Sequence, residues 1–437
     1  MLCLAVSMAT QAENITFADS HVKAICVEHW DTDGDKELSM DEAAAVQSLH
    51  NYFSFDEGVG SFDELQYFTS LETLVMSEFY DCKYLTSIVL PAQLTTISSN
   101  AFHNCIRLKS IDIPDKVTTI DELAFQGCFS LATLRLGESL KTIGQMAFSG
   151  CNSIQSLHIP SSVSSISPSA FQECTSLAAI TVAEENAKYD SRDGCNAIVT
   201  SSTNTILLGC YNTTFPSSVV AIGTCAFYGC KRLQSVNVPE GIITIGASAF
   251  SGCKGLTAVT LPTTLTTLGN SAFDGCSNLT DVQLSEGLTT IESSAFYSCR
   301  SLTHISIPST VTAIKSLAFY ECPSLVEVTV GFSTPLTIGS TVFSNRRNAT
   351  LYVPKGCVQA FKQAEYWRDF KNIEEQRILG DVNHDGFVNI YDVTLMIDYI
   401  LGLDPANFHV TEADINDDTF VNIYDVTLLI DIILNKE

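Results

Sequence analysis

The sequence predicts a repeat solenoid, built of short parallel strands and turns, followed by a small all-α domain. Three observations carry that reading. Cysteines recur every 23 residues, at Cys82, Cys105, Cys128, Cys151 and Cys174, and again at Cys230, Cys253, Cys276, Cys299 and Cys322. An Ala-Phe pair keeps the same step at Phe102, Phe125, Phe148 and Phe171, then at Phe227, Phe250, Phe273, Phe296 and Phe319, with Phe79 and Phe343 as degenerate end members. Near the end the rhythm changes: DVNHDGFVNIYDVTLMIDYIL (381–401) returns as DINDDTFVNIYDVTLLIDIIL (414–434), 33 residues later.

Bulk properties narrow the possibilities. A chain of 437 residues exceeds one ordinary core, so more than one domain is expected. Charged residues make up 16% and apolar residues 46%, which marks a folded rather than a disordered chain. The formal charge of −26 argues against nucleic acid, whose phosphates demand clustered Lys and Arg, and suits calcium, which wants carboxylate oxygens. No apolar run reaches the roughly 20 residues of a membrane span. The start, MLCLAVSMATQA (1–12), reads as an export signal: a short apolar run, then small residues before Glu13, with no basic n-region. An ordinary apolar terminus is the alternative. Export implies a secreted, extracellular or cell-surface bacterial protein.

Residues 13–56 form the first element. DTDGDKELSMDE (31–42) places Asp31, Asp33, Asp35, Ser39 and Glu42 at loop positions 1, 3, 5, 9 and 12, with Leu38 at the apolar position 8. Val22, Ile25, Cys26 and Trp30 suggest an incoming helix; Ala44, Val46 and Leu49 suggest an outgoing one. This is EF-hand-like spacing for calcium. Gly34, however, falls at position 4 and Lys36 at position 6, where a non-glycine costs about 1–2 kcal/mol in the left-handed conformation. A loop that holds metal and a calcium-like turn that folds without it both stand.

Residues 57–350 are the solenoid. Leu108–Cys128 and Leu256–Cys276 both read L-x-x-[IV]-x-[IL]-P-x-x-[VL]-T-x-[IL]-x-x-x-A-F-x-x-C, the spacing of a leucine-rich repeat. Alternation puts Ile111 and Ile113 on one face of a strand. Pro114, which cannot donate to a ladder, ends it. Val117 and Ile120 form a second inward segment, and Ala124 and Phe125 close the turn. One unit cannot bury its apolar face; a stack of them buries a continuous core. The cysteine period follows from the same stacking. Equivalent positions on adjacent rungs lie about 4.7–4.9 Å apart, whereas a disulfide needs Cβ atoms about 3.8 Å apart. The ladder is therefore expected to be buried thiols. From Phe171 to Phe227 the step is 56, one period plus 33, and residues 183–215 fill the gap. Their Val199-Thr and Ile206-Leu-Leu runs, parted by Ser-Ser-Thr-Asn, fit a hairpin.

These motifs resemble the BspA-like, surface-antigen type of leucine-rich repeat of oral and gut Bacteroidetes and treponemes, over roughly residues 62–350. The resemblance implies a family-type irregular insert and a closing cap at 351–376, LYVPKGCVQAFKQAEYWRDFKNIEEQ, where the period breaks and Trp367 and Phe370 would cover the last rung. The outward strand positions are small, polar and mixed in sign: Ser110 and Asp112, Thr133 and Arg135, Ser156 and His158, Ser235 and Asn237, Asp281 and Gln283, His304 and Ser306, Glu327 and Thr329. No aromatic line runs along them, and no nucleophile–base or paired-carboxylate motif stands out. His158 and His304 read as solvated. A polar face for a host or microbial surface protein or glycan is one reading, and a spacer without specific ligand is the other.

Residues 377–437 answer the second rhythm. Asp381, Asn383, Asp385, Asn389 and Asp392 fall at positions 1, 3, 5, 9 and 12 of a calcium loop, with Phe387 at position 7 giving its backbone carbonyl and Gly386 at the sharp turn. Asp414, Asn416, Asp418, Phe420, Asn422 and Asp425 repeat the set, with Thr419 in place of the glycine. Val393, Ile397, Ile400 and Leu401 form one apolar stripe of the following helix; Val426, Ile430, Ile433 and Leu434 match them. Two loop–helix halves in tandem resemble a type I dockerin. The resemblance implies Ca2+-dependent folding and docking onto a cohesin-type module or scaffold protein. Contacts would come from Ile390, Tyr391, Ile397 and Asp398, and from Ile423, Tyr424, Ile430 and Asp431, in two poses related by a pseudo-twofold. Ile-Tyr departs from the hydroxyl pair common in clostridial members. The expectation is a non-enzymatic binding protein, moored by its calcium module. A non-catalytic part of a polysaccharide-degrading, cellulosome-like assembly is the alternative.

Overall fold

The computed structural model describes residues 13–376, 378–385 and 387–434. The apolar start 1–12 and Gly386 lie outside the described residues. The chain forms two compact units, Met1–Leu325 with Ile338–Asn345, and Val326–Thr337 with Arg346–Glu437.

The first unit opens with helix α1 (Ser20–Trp30), capped by the Asp19 side chain, which accepts from the His21 and Val22 N–H groups. Helix α2 (Met40–Ala45) starts on a capping box between Ser39 and Glu42. The expected outgoing helix through Val46 and Leu49 stops early. The chain turns extended at Val46, and Val46, Leu49 and Phe53 are buried in the core instead.

Above this lie the rungs. One ladder of strands runs Thr73–Leu74, Thr96–Ile97, Thr119–Ile120, Thr142–Ile143 and Ser165–Ile166, all parallel. Strands of the L-x-x-I-x-I segment form the other, with Ser110 facing Thr133 and Ile111 facing Leu134. After the insert the same pairing resumes from Ser235 through Ala258 to Asp281. Each strand is only a few residues long because proline or a turn cuts it. Stability therefore comes from stacking of rungs, not from the length of any strand.

Phenylalanines make the central column. Neighbouring rings from Phe79 to Phe171 lie 5.0–5.2 Å apart and within 7° of parallel. From Phe227 to Phe343 they lie 5.0–5.5 Å apart and within 9°. Beside them, the 15 cysteines of the described residues are all free. Their role is not only apolar filling. Each ladder thiol from Cys82 to Cys174 and from Cys253 to Cys322 donates to a phenylalanine carbonyl one rung back, as Cys128 Sγ does to Phe102 O at 3.2 Å.

The insert is a hairpin, Ala197–Thr200 antiparallel to Thr205–Gly209. Its second strand does more than return. Thr205 and Ile206 pair in parallel with Ala221 and Ile222, so the hairpin supplies the missing rung of the ladder. The buried Asn186 amide donates to Pro160 O and Val163 O, and Ile166 N donates to Tyr189 Oη. The inserted segment thus satisfies the open edge left by the preceding rung.

In the second unit, strands Glu327–Val330, Thr350–Val353 and Asn372–Glu375 run parallel. The strand spacing therefore carries on where the sequence motif lapses, because α3 (Val358–Gln363) replaces the Ala-Phe turn. Trp367 is fully buried against Phe332 and Phe361, and its Nε1 donates to Leu336 O at 2.7 Å. Helices α4 (Ile390–Ile400), α5 (Val410–Ala413) and α6 (Ile423–Leu434) follow. Their core is Val382, Val393, Leu395, Met396, Ala413, Val426 and Leu429. This corrects the expected stripe. Val393 and Val426 are buried, but Ile397, Ile400, Leu401, Ile430 and Leu434 face outward. Met396 and Leu429, one turn on from the two valines, take the inward positions.

Candidate calcium loops and docking surface

Three loops share one hydrogen-bonding frame. In 381–392, Asp381 Oδ1 and Asn383 Oδ1 both accept from Asp385 N, at 2.9 and 2.8 Å, and Asp385 Oδ1 accepts from Phe387 N at 2.9 Å. In 414–425, Asp414 and Asn416 accept from Asp418 N at 3.0 Å each, and Asp418 accepts from Phe420 N at 2.9 Å. In 31–42, Asp31 accepts from Gly34 N and Lys36 N, Asp33 from Asp35 N, and Asp35 from Glu37 N. Backbone N–H groups thus hold the side-chain oxygens at positions 1, 3 and 5 in place. The carboxylate oxygens of Asp31, Asp33 and Asp35 lie within 4.8 Å of one another.

Position 12 closes each loop. Asp392 accepts from Val382 N and Asn389 N, Asp425 from Ile415, Asn416 and Asn422 N, and Glu42 from Thr32 N and Ser39 N. Asn389, Asn422 and Ser39 at position 9 stand at the helix starts, where Asn389 accepts from Tyr391 N and Asn422 from Tyr424 N. Burial pushes the Asp392 carboxyl up, and the charges of Asp381 and Asp385 add to that, against the lowering effect of its two N–H donors. At Glu42 the balance reverses. Burial raises it, but the donors from Ser39 and Thr32 outweigh burial and hold it at about 2.

Loops 381–392 and 414–425 each bring three carboxylates and two side-chain amides around one turn, and loop 31–42 brings four carboxylates and a hydroxyl. That is a hard, oxygen-only donor set, and it fits calcium. Lys36 and Thr419 at position 6 adopt φ of 69° and 75°, the strained region that glycine would occupy freely. Position 4 is left-handed as well, at Gly34, His384 and Asp417, a demand the sequence signals only through Gly34.

Most of the residues expected to meet a partner are exposed on the two halves. Ile390 is 70% exposed, Tyr391 56%, Ile423 62% and Tyr424 72%. Ile397 and Ile430 are exposed one to two turns further along α4 and α6, Asp398 is half-buried, and Asp431 is exposed. Phe387 and Phe420 join them at about 70% exposure each. The sequence reading gave these two only a backbone role; an aromatic at position 7 of both halves was the available signal. On the rungs, the outward strand residues are exposed as expected except the half-buried Thr329, and the two histidines have partners: His158 Nδ1 lies 2.9 Å from Thr181 Oγ1 and His304 Nε2 lies 3.4 Å from Asp281.

Comparison with known proteins follows this division. Residues 72–193, 208–326 and 289–378 match the BspA type leucine rich repeat region, in six copies, and residues 379–434 match the dockerin type I domain. The pneumococcal vaccine antigen PcpA is similar in fold, with 19% identity and a TM-score of 0.55, over 71% of this chain and 78% of that one. A leucine-rich repeat protein from Eubacterium ventriosum is similar at 20% identity and a TM-score of 0.52, over 70% of this chain and 79% of that one. A leucine rich cell surface protein from Faecalibacterium prausnitzii shares 25% identity at a TM-score of 0.47, over 73% and 77% of the two chains. No curated protein matches. No helix of the described residues is long and apolar enough to cross a membrane.

Proposed function

The chain belongs to the BspA-type leucine-rich repeat family and carries a type I dockerin domain, and from that premise we propose that it is a secreted or cell-surface binding protein docked through calcium. Asp381, Asn383, Asp385, Asn389 and Asp392, with the Phe387 carbonyl, hold one Ca2+; Asp414, Asn416, Asp418, Asn422 and Asp425, with the Phe420 carbonyl, hold a second. Asp31, Asp33, Asp35, Ser39 and Glu42 hold a third. Calcium supplies the positive charge that lets the clustered carboxylates share one turn. The chain's part is to fix those oxygens by backbone N–H donors and to present α4 and α6.

The observation that supports docking most directly is the pair of exposed Ile-Tyr doublets, Ile390–Tyr391 and Ile423–Tyr424, on two near-identical frames. Large apolar side chains left in water at matched positions suit an interface. A cohesin-type module is the partner, and the polar outward strand face binds a protein or glycan on a host or microbial surface. Capture on an immobilised cohesin panel tests this. Binding is expected in calcium and absent with chelator, and Tyr391→Ala with Tyr424→Ala together should abolish it while either alone is tolerated. Calcium-independent capture, or none by any cohesin, would overturn the docking reading.

A further inference from the structure

We propose that the dockerin region holds a second kind of metal site, for a borderline transition ion such as Zn2+, built from His384, His409 and Glu412. One ligand atom from each lies within 4.8 Å of the others. His384 Nε2 is 3.3 Å from Glu412 Oε1, and the two imidazole rings stack at 3.5 Å and 8°. Glu412 is 2% exposed, a carboxylate taken almost wholly out of water. Its other oxygen accepts from Thr411 Oγ1 at 2.6 Å, which orients it.

The frame around the three residues is fixed by backbone. His409 N donates to Val382 O and Gly380 N donates to Glu412 O, both at 2.8 Å. This ties the first calcium loop to the segment that leads into the second. The residues border a cavity of about 390 Å³ that also receives Asp381, Glu375 and Lys355. Lys355 donates to the His384 carbonyl, and the three acids outnumber it. None of the three proposed ligands is needed by the calcium frame: His384 is at position 4, and His409 and Glu412 precede position 1 of the second loop.

Two imidazoles and a carboxylate are a poor set for calcium and a good one for zinc, which takes nitrogen and oxygen at about 2.0–2.2 Å. Each ring offers its lone pair in its own plane, so the stacked pair does not grip an ion as it stands. His384 is exposed and can swing out of the stack to bring both nitrogens onto one ion, leaving a fourth position for water.

Titration of the full-length, calcium-saturated protein with Zn2+ by calorimetry tests the proposal. One additional ion is expected, with affinity at least ~10-fold weaker in His384→Ala and in His409→Ala, since even outer-shell changes cost that much. Co2+ in place of Zn2+ should give the intense visible absorption of a four-coordinate site, lost in the same variants. His384→Ala changes an exposed loop residue, so it remains informative if His409→Ala misfolds. No uptake beyond calcium, or equal uptake by the variants, would overturn the zinc site and leave calcium-dependent docking untouched.

Discussion

A single carboxylate beside the first rungs sets a pH dependence. Glu78 is 1% exposed, and burial pushes its carboxyl up to about 7 despite donors from Asn51 and Val75. The folded chain therefore holds this proton more tightly than the unfolded chain, whose value is 4.5. Its stabilising effect is full below about pH 4.5 and lost as pH rises through about 7. Glu78→Gln removes the dependence. The variant should match the parent at pH 4.5 and exceed it by about 3 kcal/mol at pH 8, in denaturant titrations at the two pH values. Equal stability of the two proteins at pH 8 would show that the carboxylate ionises without cost. Such residues were illegible in the sequence. The Ala-Phe and Cys periods announced which side chains go inward, because 23-residue self-similarity survives any local variation. The residue two before most of the column phenylalanines is left-handed whether it is Asn100, Leu123, Met146, Cys225, Ser271 or Leu317; glycine never marks it, so its conformation became visible only in the fold.

At the scale of elements, the hairpin insert was legible as a hairpin but not as a rung. The Val199-Thr and Ile206-Leu-Leu runs read as the two strands of a hairpin and no more; what makes Thr205–Gly209 a ladder strand is its parallel pairing with Ala221–Ile222, a contact no local pattern encodes. The seam is tight. A Cβ on Gly209 would lie 2.2 Å from the Phe227 ring, the first ring of the second column. Gly209→Ala should destabilise the solenoid by about 1–3 kcal/mol through overpacking, measured by urea unfolding. A neutral result would mean the column shifts freely at its starting ring. The helices of the dockerin domain show the opposite limit. Their apolar residues occupy two faces, and periodicity alone assigned Ile397 and Ile430 to the same stripe as the buried Val393 and Val426. Burial separated them, and the outward set is the one suited to a partner.

At the scale of the molecule, the two domains differ in what keeps them folded. The rungs before the insert, and the insert itself, share one core that runs from Ile15 to Cys210, whereas residues 378–434 bury seven apolar side chains in their own cluster. A domain under 60 residues with so small a core needs a staple, and on the calcium reading proposed above the acidic loops would provide one only when charged with a cation. Calorimetry of the full chain should show two transitions in calcium. With chelator the dockerin transition should vanish together with part of the far-ultraviolet helical signal, while the solenoid transition stays within a few degrees. Persistence of both transitions would show that the loops fold on hydrogen bonds alone.

The phenylalanine column has a further consequence. Because each ring sees the same two neighbours at nearly the same spacing, the interior of the stack has no landmark of its own. Reach becomes a quantity counted in whole turns: excising residues 254–276 would set Phe250 against Phe296 in an unchanged environment, whereas a cut that is not a whole multiple of 23 residues would leave a ring facing a strand. The lineage can lengthen or shorten such a protein by copying or dropping one unit, keeping both ends and whatever they hold.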